Sequence, residues 1–363
     1  MLGISTSIFN ETGGLVKDWL KNPLNASFFY WYFLPAVGFV LLHLLIICPA
    51  LGHPAGLCFK IEVGHANTLA ELVMQILNAR ALVLILLPLV LGVVLSSLAG
   101  TVLRFFQGTL PIARFLFQPA LKRNKKRSDE LYGPLKNLRR QYFFLASHVD
   151  GDGTEPVAKS DREELLEQLK QEIQTVHERL EATAIARDLP FDSERVGPTS
   201  LANILAMAEE YPFERYSIDT AVFWPRLTPE IEPGKLEAMT ASFGMMNGLL
   251  NLSLLSYVFA FESLIICVGM LTPWITSSWS PMIAVVAGVL VGLAAYRAAL
   301  GAGRSVGNAL RAAFDCYRER LLRRFNLRMP DDIEQERVVW LKLGAFIRRG
   351  ESFYYPSEFR KTD

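Results

Sequence analysis

The sequence predicts an all-α membrane protein in which four transmembrane helices form two hairpins, with a helical cytoplasmic domain between the hairpins. The first observation behind this class is a set of four long apolar segments, at residues 28–51, 80–103, 249–272 and 279–300. Each has about the 20 residues that an α-helix needs to cross a hydrocarbon core. The second is that charged residues, 20% of the chain, concentrate outside these segments. The third is that Lys and Arg cluster beside only some of the segment ends, which indicates an orientation.

The distribution of basic residues predicts which loops face the cytoplasm. Dense Lys and Arg follow the second and fourth segments, in residues 104–140 and 304–328. The loop between the first two segments has only Lys60 well inside it, and the turn at residues 272–280 has no charge. Because basic flanks are retained on the cytoplasmic side, both termini are expected in the cytoplasm.

This topology divides the chain into five parts. They are a cytoplasmic N-terminal segment (1–27), a first transmembrane hairpin (28–103), a helical cytoplasmic domain (104–248), a second hairpin (249–300) and cytoplasmic C-terminal helices (301–363). The N-terminal segment lacks the pattern of a cleavable signal peptide, so the first span is expected to act as the targeting signal. We expect this multi-pass protein in a bacterial inner membrane.

Two cysteines lie at or beyond the predicted outer end of the first span. An oxidising compartment would permit a disulfide between Cys48 and Cys58, but nothing in the sequence fixes their geometry. The pairing stays open, and two unpaired thiols are favoured.

The region after the second span has two interpretations. Residues 104–121 mix phenylalanine and leucine with arginine and are broken at Pro111. This composition suits a helix in the lipid headgroup layer. An extension of the second span that packs on its own domain is the alternative.

Helix boundaries in the polar regions follow from local signals. Residues 161–180 carry apolar side chains in steps of three and four, which favours an antiparallel pairing with residues 128–148 over self-association. Tyr211-Pro212 is expected to end the next helix. The helix of the fourth span is expected to run to near Pro330, and Asp331 with Glu334 resembles a capping box for a last helix.

Aromatic side chains alternate with charged ones in residues 213–226. Phe213, Tyr216, Phe223 and Trp224 lie among acidic and basic neighbours. Such a cluster can be a recognition surface. The core of a small domain with its ion pairs is the favoured interpretation.

Two segments resemble stretches of other proteins. EEYPFERYSIDTAVFWPRL (209–227) and NALRAAFDCYRERLLRRFNLRMP (308–330) are similar to recurring segments in uncharacterised bacterial multi-pass inner-membrane proteins. The resemblance implies a bacterial membrane protein and carries no activity.

Two ionisable residues lie inside predicted spans at matched depths. At 1.5 Å per residue, His43 in the first span and Glu262 in the third both lie about 20 Å from the cytoplasmic ends of their spans. An ionisable side chain in hydrocarbon normally has a partner, so we expect the two to meet if these spans are neighbours. The pair would serve a proton relay, ion site or gate, or would only hold the bundle together.

The third span also has a polar cytoplasmic half. Asn247, Asn251 and Ser256 predict either a face that lines a wet cavity or hydrogen bonds to other helices.

Small residues recur every fourth position in the second and fourth spans. Such rows let helix backbones approach closely, within the bundle or between protomers. The rows are Gly92, Ser96 and Gly100, and Ala284, Gly288 and Gly292.

Arginine recurs every seventh residue from the fourth span onward, at Arg297, Arg304, Arg311 and Arg318. Seven residues return to within about 20° of the same helix face, so these side chains form one basic stripe. The stripe would steer anions, hold anionic lipid, or face the acidic helix of residues 163–181.

The chain contains no complete catalytic or metal-binding motif, so we expect no enzymatic activity, no metal and no cofactor, although multi-pass enzymes can distribute their residues across spans. Topology explains the basic clusters, so nucleic acid is not an expected partner. The expected partners are the lipid bilayer and further copies of the chain in a homo-oligomer, with a cytoplasmic protein as a further candidate.

The leading hypothesis is an oligomeric membrane protein that forms a gated ion-permeable path with a cytoplasmic sensing domain. The alternative is a membrane anchor or scaffold that recruits a soluble partner, in a bacterial defence or envelope complex.

Overall fold

A computed structural model of the protein describes residues 28–47, 79–147, 159–182, 189–270 and 279–353. These ranges contain helices and connecting turns, and no β-strand, which confirms the all-α class. In chain order the helices are α1 (Phe29–Ile47), α2 (Ala79–Phe106), α3 (Pro111–Leu116), α4 (Gln118–Ser147), α5 (Lys159–Ala182), α6 (Ser200–Tyr216), α7 (Thr220–Leu227), α8 (Pro233–Gly269), α9 (Ser280–Arg324) and α10 (Ile333–Arg349). Cys48 and Cys58 lie outside the described residues.

Within these described ranges, four helical stretches are long and apolar enough to cross a membrane. They are α1, the stretch from Ile85 in α2 to Leu116 in α3, α8 and α9. Only 22% to 33% of each apolar window is buried inside the protein. The remaining apolar side chains face outward, as contact with lipid requires. The prediction of four apolar helices of membrane-spanning length is therefore confirmed.

The third and fourth of these helices extend well beyond their apolar segments. The 37 residues of α8 and the 45 residues of α9 correspond to about 55 Å and about 68 Å of helix. Both exceed a hydrocarbon core of about 30 Å. The third span is thus part of a helix that begins at Pro233, sixteen positions before the apolar segment predicted from residue 249.

The helix of the fourth span ends earlier than expected. It stops at Arg324 rather than near Pro330. Asn326 adopts a left-handed conformation with φ of +57°, and the Leu327 N–H donates to the Leu322 carbonyl. This is a Schellman termination, which needs no proline.

One other predicted helix boundary is wrong. Helix α6 continues past Pro212 to Tyr216, and Ser217 then leaves the helix with φ of +59°. The burial of Tyr216 and Ile218 compensates for the hydrogen bond that proline removes.

The predicted capping box of the last helix is also absent. Helix α10 begins after Asp332, whose side chain makes no capping bond. Glu334 instead pairs with Arg337 at 2.8 Å. An i,i+3 ion pair thus replaces the reciprocal bonds of a capping box.

The chain divides into two compact units. Phe106–Tyr211 form one unit, and the described residues on either side of that range form the other. Residues 212–248 therefore group with the apolar helices rather than with the polar region that precedes them.

The first unit is built on α4 and α5. Tyr132 and Leu135 of α4 share a cluster with Ile173 and Val176 of α5, the pairing that the apolar spacing predicts. The Tyr132 hydroxyl donates to the buried carbonyl of Leu189 at 3.0 Å. These contacts attach the segment after residue 189 to α4.

The polar end of the second unit has an aromatic core. Phe223 packs edge-on against Trp340 at 5.0 Å between ring centroids, and Trp224 contacts Phe314 at 6.2 Å. Phe223 and Trp224 are buried, whereas Phe213 is exposed. The interleaved aromatics thus contribute mainly to a core and not to a surface.

Candidate functional site

An imidazole and a carboxyl group meet between α1 and α8. His43 Nε2 lies 2.6 Å from Glu262 Oε2. The other ring nitrogen, Nδ1, lies 2.8 Å from the Phe39 carbonyl oxygen of the preceding turn. The contact expected from the matched depths of these two residues is present.

The hydrogen-bond partners fix where the protons of this pair lie. A carbonyl oxygen only accepts, so His43 Nδ1 carries a proton and donates it to Phe39. At 2.6 Å a second proton must lie between Nε2 and Oε2, because two lone pairs repel at that distance. The pair is therefore either imidazolium with carboxylate or neutral imidazole with carboxylic acid. In both forms one proton is shared and the net charge is zero.

His43 and Glu262 are flanked by aromatic side chains but remain partly exposed. The Phe39 ring lies 4.2 Å from the His43 ring, and Phe259 approaches it edge-on at 5.4 Å. The side chains of His43 and Glu262 nevertheless remain 26% and 40% exposed. They lie in apolar helices, where an exposed ionisable group is costly.

The backbone of α1 changes at His43. Regular α-helical turns at Leu34–Leu42 lie between two wider π-helical turns, Phe29–Phe33 and His43–Ile47. Such turns are rare and are frequently found at functional sites. The imidazole thus lies where the helix departs from regular geometry.

The polar residues of α8 do not share one environment. Asn247 and Asn251 are only 2% and 0% exposed. Within the described part of the chain neither side-chain amide has a hydrogen-bond partner. Ser256 donates to the Leu252 carbonyl at 2.8 Å and lines a cavity. The three residues predicted as a polar lining are therefore separated, with two of them enclosed by protein.

The cavity lies between α1, α8 and α9 and has a volume of about 470 Å³. Its walls are almost entirely apolar, and include Trp31, Phe39, Leu252, Phe259, Ala287 and Val291. A polar substrate or a hydrated ion would lose hydrogen bonds there without replacement. The cavity suits apolar groups such as acyl chains.

The small residues of α9 face α8 within the same chain. A Cβ added at Gly288 would lie 2.9 Å from the Ser256 carbonyl oxygen, and one at Gly292 would lie 2.9 Å from the Tyr257 ring. Ala284 is buried in a cluster with Phe259 and Ile266 of α8. This row therefore serves packing inside the protomer.

The small residues of α2 behave less uniformly. A Cβ at Gly92 would lie 3.3 Å from the Phe33 backbone of α1. Ser96 and Gly100 are half-buried. Gly92, the first residue of this row, thus makes a close contact with α1.

The basic stripe on α9 divides into two halves. Arg297 and Arg304 are exposed, whereas Arg311 and Arg318 are half-buried. Arg318 Nε donates to Glu336 Oε1 of α10 at 2.9 Å, and its guanidinium lies 4.2 Å from the Tyr216 ring. The end of the stripe farthest along α9 is thus part of a packed network.

Sequence reasoning missed Glu336. This carboxylate is 3% exposed and accepts from both Arg318 and Trp340 Nε1, the latter at 3.0 Å. The sequence does indicate the burial of this carboxylate. Glu336 precedes Val339, Trp340 and Leu343 at helical spacing, on the buried face of α10. A carboxylate within an apolar stripe indicates a buried partner.

Comparison of the chain with protein-family models, with curated proteins and with solved structures finds no match. The resemblance of residues 209–227 and 308–330 to bacterial membrane proteins therefore rests on those residues alone.

Proposed function

We propose that the protein is an oligomeric membrane protein that forms a gated, ion-permeable path, with His43 and Glu262 as its proton-sensitive contact. The observation that carries the proposal is the short hydrogen bond between α1 and α8, which leaves Glu262 40% exposed in an apolar helix. Charged groups inside membranes normally face protein or water. The exposed flank of Glu262 therefore faces a second protomer or a water-filled path between protomers.

The proposed membrane arrangement has two hairpins with both termini in the cytoplasm of a bacterium. It is supported by the basic clusters after the second and fourth apolar segments. The polar region of residues 106–211 would then be the main part of the cytoplasmic sensing domain.

Gating would follow from the shared proton. After loss of that proton the imidazole would keep one N–H, which can donate to Glu262 or to the Phe39 carbonyl but not to both. One of the two contacts that hold His43 would then be lost, and the weaker connection between α1 and α8 would favour their separation. Because Asn247 and Asn251 are enclosed, the path would run along the Glu262 edge of α8 and not along the asparagines.

Ion flux in proteoliposomes tests this function. Wild-type protein and Glu262→Gln are reconstituted at equal density, and cation efflux is followed while the external pH is stepped. The introduced amide can donate to His43 without exchanging a proton, so we expect flux that no longer responds to pH. Glu237→Gln is the matched control, since Glu237 lies near the start of the same helix, far from His43. Unchanged pH-dependent flux in Glu262→Gln would contradict the proposal.

A membrane anchor or scaffold is the second candidate. It is favoured by the enclosed asparagines and by the apolar walls of the cavity, neither of which provides a wet route within one protomer. If the wild type gives no flux at any pH and crosslinking in cells captures one soluble protein, this candidate replaces the first.

A further inference from the structure

The short helix α3, at the end of the apolar stretch Ile85–Leu116, has an exposed apolar surface. Phe115, Ile112 and Leu116 are 83%, 74% and 57% exposed. The three positions are spaced i, i+3 and i+4, so their side chains share one face. Only Ala113 of this helix is buried. Large exposed apolar patches mark interaction sites.

A basic surface follows directly in the sequence. Five basic side chains near the start of α4 are exposed, namely Lys122, Arg123, Lys125, Lys126 and Arg127. Within the described residues, Lys126 is the one among them with an ion pair, to Glu130 at 3.7 Å. No acidic residue occurs between Arg104 and Ser128. Within residues 104–128 the positive charge therefore has no acidic counterpart.

The chain limits how far α3 can lie from the membrane. Helix α2, which is apolar enough to cross a bilayer, ends at Phe106, and α3 begins at Pro111. At about 3.5 Å per residue the connection spans at most about 18 Å. One headgroup layer is about 5–8 Å thick, so this short connection leaves α3 within reach of that layer.

We propose that α3 and the start of α4 form an anchor for the headgroup layer of an anionic bilayer. Phe115, Ile112 and Leu116 insert at the boundary with the acyl chains, and the basic residues of α4 pair with lipid phosphates. A lipid surface fits both features, because it offers an apolar layer directly beneath a negatively charged one. The proposal is independent of ion conduction and of the His43 contact.

Site-directed spin labelling of the full-length protein in vesicles tests the anchor. Cys48, Cys58, Cys267 and Cys316 are replaced by Ser, and single labels are introduced with Phe115→Cys, Ile112→Cys and Glu167→Cys. Glu167 is 61% exposed on α5, outside the basic cluster, and provides the aqueous reference. Collision rates with oxygen, which concentrates in lipid, and with a water-soluble nickel chelate report the depth of each label.

We expect an oxygen-to-nickel accessibility ratio several-fold higher at positions 112 and 115 than at position 167. The difference should grow when phosphatidylglycerol is added to phosphatidylcholine vesicles, and it should shrink again when Lys122, Arg123 and Lys125 are changed to Gln. A ratio at positions 112 and 115 equal to that at position 167 would overturn the anchor. Low accessibility to both reagents would also overturn it, because that result means that protein covers the patch. A high ratio that does not depend on anionic lipid would overturn the assignment of the basic cluster.

Discussion

The indole of Trp31 in α1 lies directly against the backbone of Gly248 in α8. A Cβ added at Gly248 would lie 2.7 Å from Trp31 Cε3 and 3.0 Å from the Trp31 Cα. No other residue type fits this approach without movement of one helix. The Trp31 and Gly248 contact therefore fixes the spacing of α1 and α8 toward one end, and the His43 and Glu262 contact joins the same two helices farther along.

Gly248→Ala should destabilise the protein by overpacking against Trp31. The expected loss in the free energy of unfolding is about 1–3 kcal/mol, measured relative to Gly234→Ala in detergent. A Cβ at Gly234 meets nothing within 4 Å, and both variants replace a glycine of α8 by alanine, so their difference reports mainly the clash. Equal stability of the two variants would contradict the contact.

His43 and Glu262 should be energetically coupled. In a double-mutant cycle with His43→Ala and Glu262→Ala, we expect a coupling free energy of about 0.6 kcal/mol and at most about 1.7 kcal/mol, as for other polar contacts inside membranes. Thermal unfolding in detergent provides the four stabilities. A parallel cycle of His43→Ala with Glu237→Ala should be additive, since Glu237 lies about 37 Å farther down α8. Additivity in both cycles would show that the short hydrogen bond contributes nothing to stability.

Glu336→Ala should be among the more damaging single changes at the polar end of the second unit. It leaves the guanidinium of Arg318 without its buried carboxylate, and the expected cost is about 3–5 kcal/mol. Urea unfolding measures it. The control is Glu319→Ala, which removes an exposed i,i+4 pair with Arg323 and should cost about 0.5 kcal/mol or less. Similar costs for the two variants would refute a special role for the buried pair.

Glu209 should make the stability of the protein fall as the pH rises. Burial raises the pKa of this carboxyl from 4.5 to about 7, and the positive charge of Arg195 opposes part of the rise. Between the two pKa values the folded state therefore keeps a proton on Glu209 that the unfolded state has released, since the unfolded pKa is 4.5. The free energy of unfolding falls as the pH rises through this range, and the loss is complete above about pH 7. The full effect corresponds to at most about 3 kcal/mol.

Glu209→Gln should remove that pH dependence, since its amide does not ionise. We expect a greater stability than the wild type at about pH 8 and little difference at about pH 5. Glu194→Gln, an exposed residue of the same unit, is the control and should follow the wild type at both values. Parallel curves for the wild type and Glu209→Gln would indicate that Glu209 is ionised in the folded protein.

The sequence predicted much of the secondary structure of the apolar helices and less of their ends. Hydropathy is a local property, so the apolar stretches that contain His43 and Glu262 could be located without knowledge of their neighbours. The end of α9 depended on Asn326, whose left-handed conformation terminates the helix before Pro330. The passage of α6 through Pro212 depended on burial of Tyr216, which no local signal reveals.

The candidate site was predictable in part. The matched depths of His43 and Glu262 follow from the 1.5 Å rise of a helix, and that arithmetic needs no tertiary information. The environment of Asn247 and Asn251, in contrast, could not be predicted without tertiary information. Helical periodicity puts them on one face of α8, but the packing around that face decides whether it meets water or protein.

By itself, the sequence determined that the chain has four apolar helices of membrane-spanning length, and that two ionisable residues lie at similar depths in two of them. Tertiary structure alone decided that Trp31 packs on Gly248, that Asn247 and Asn251 are enclosed, and that Arg318 has Glu336 as its partner. The physical reason is the range of the interactions. Transfer of a helix into lipid is a sum over its own residues, whereas the partner of a helix face is chosen by close packing between segments far apart in the chain.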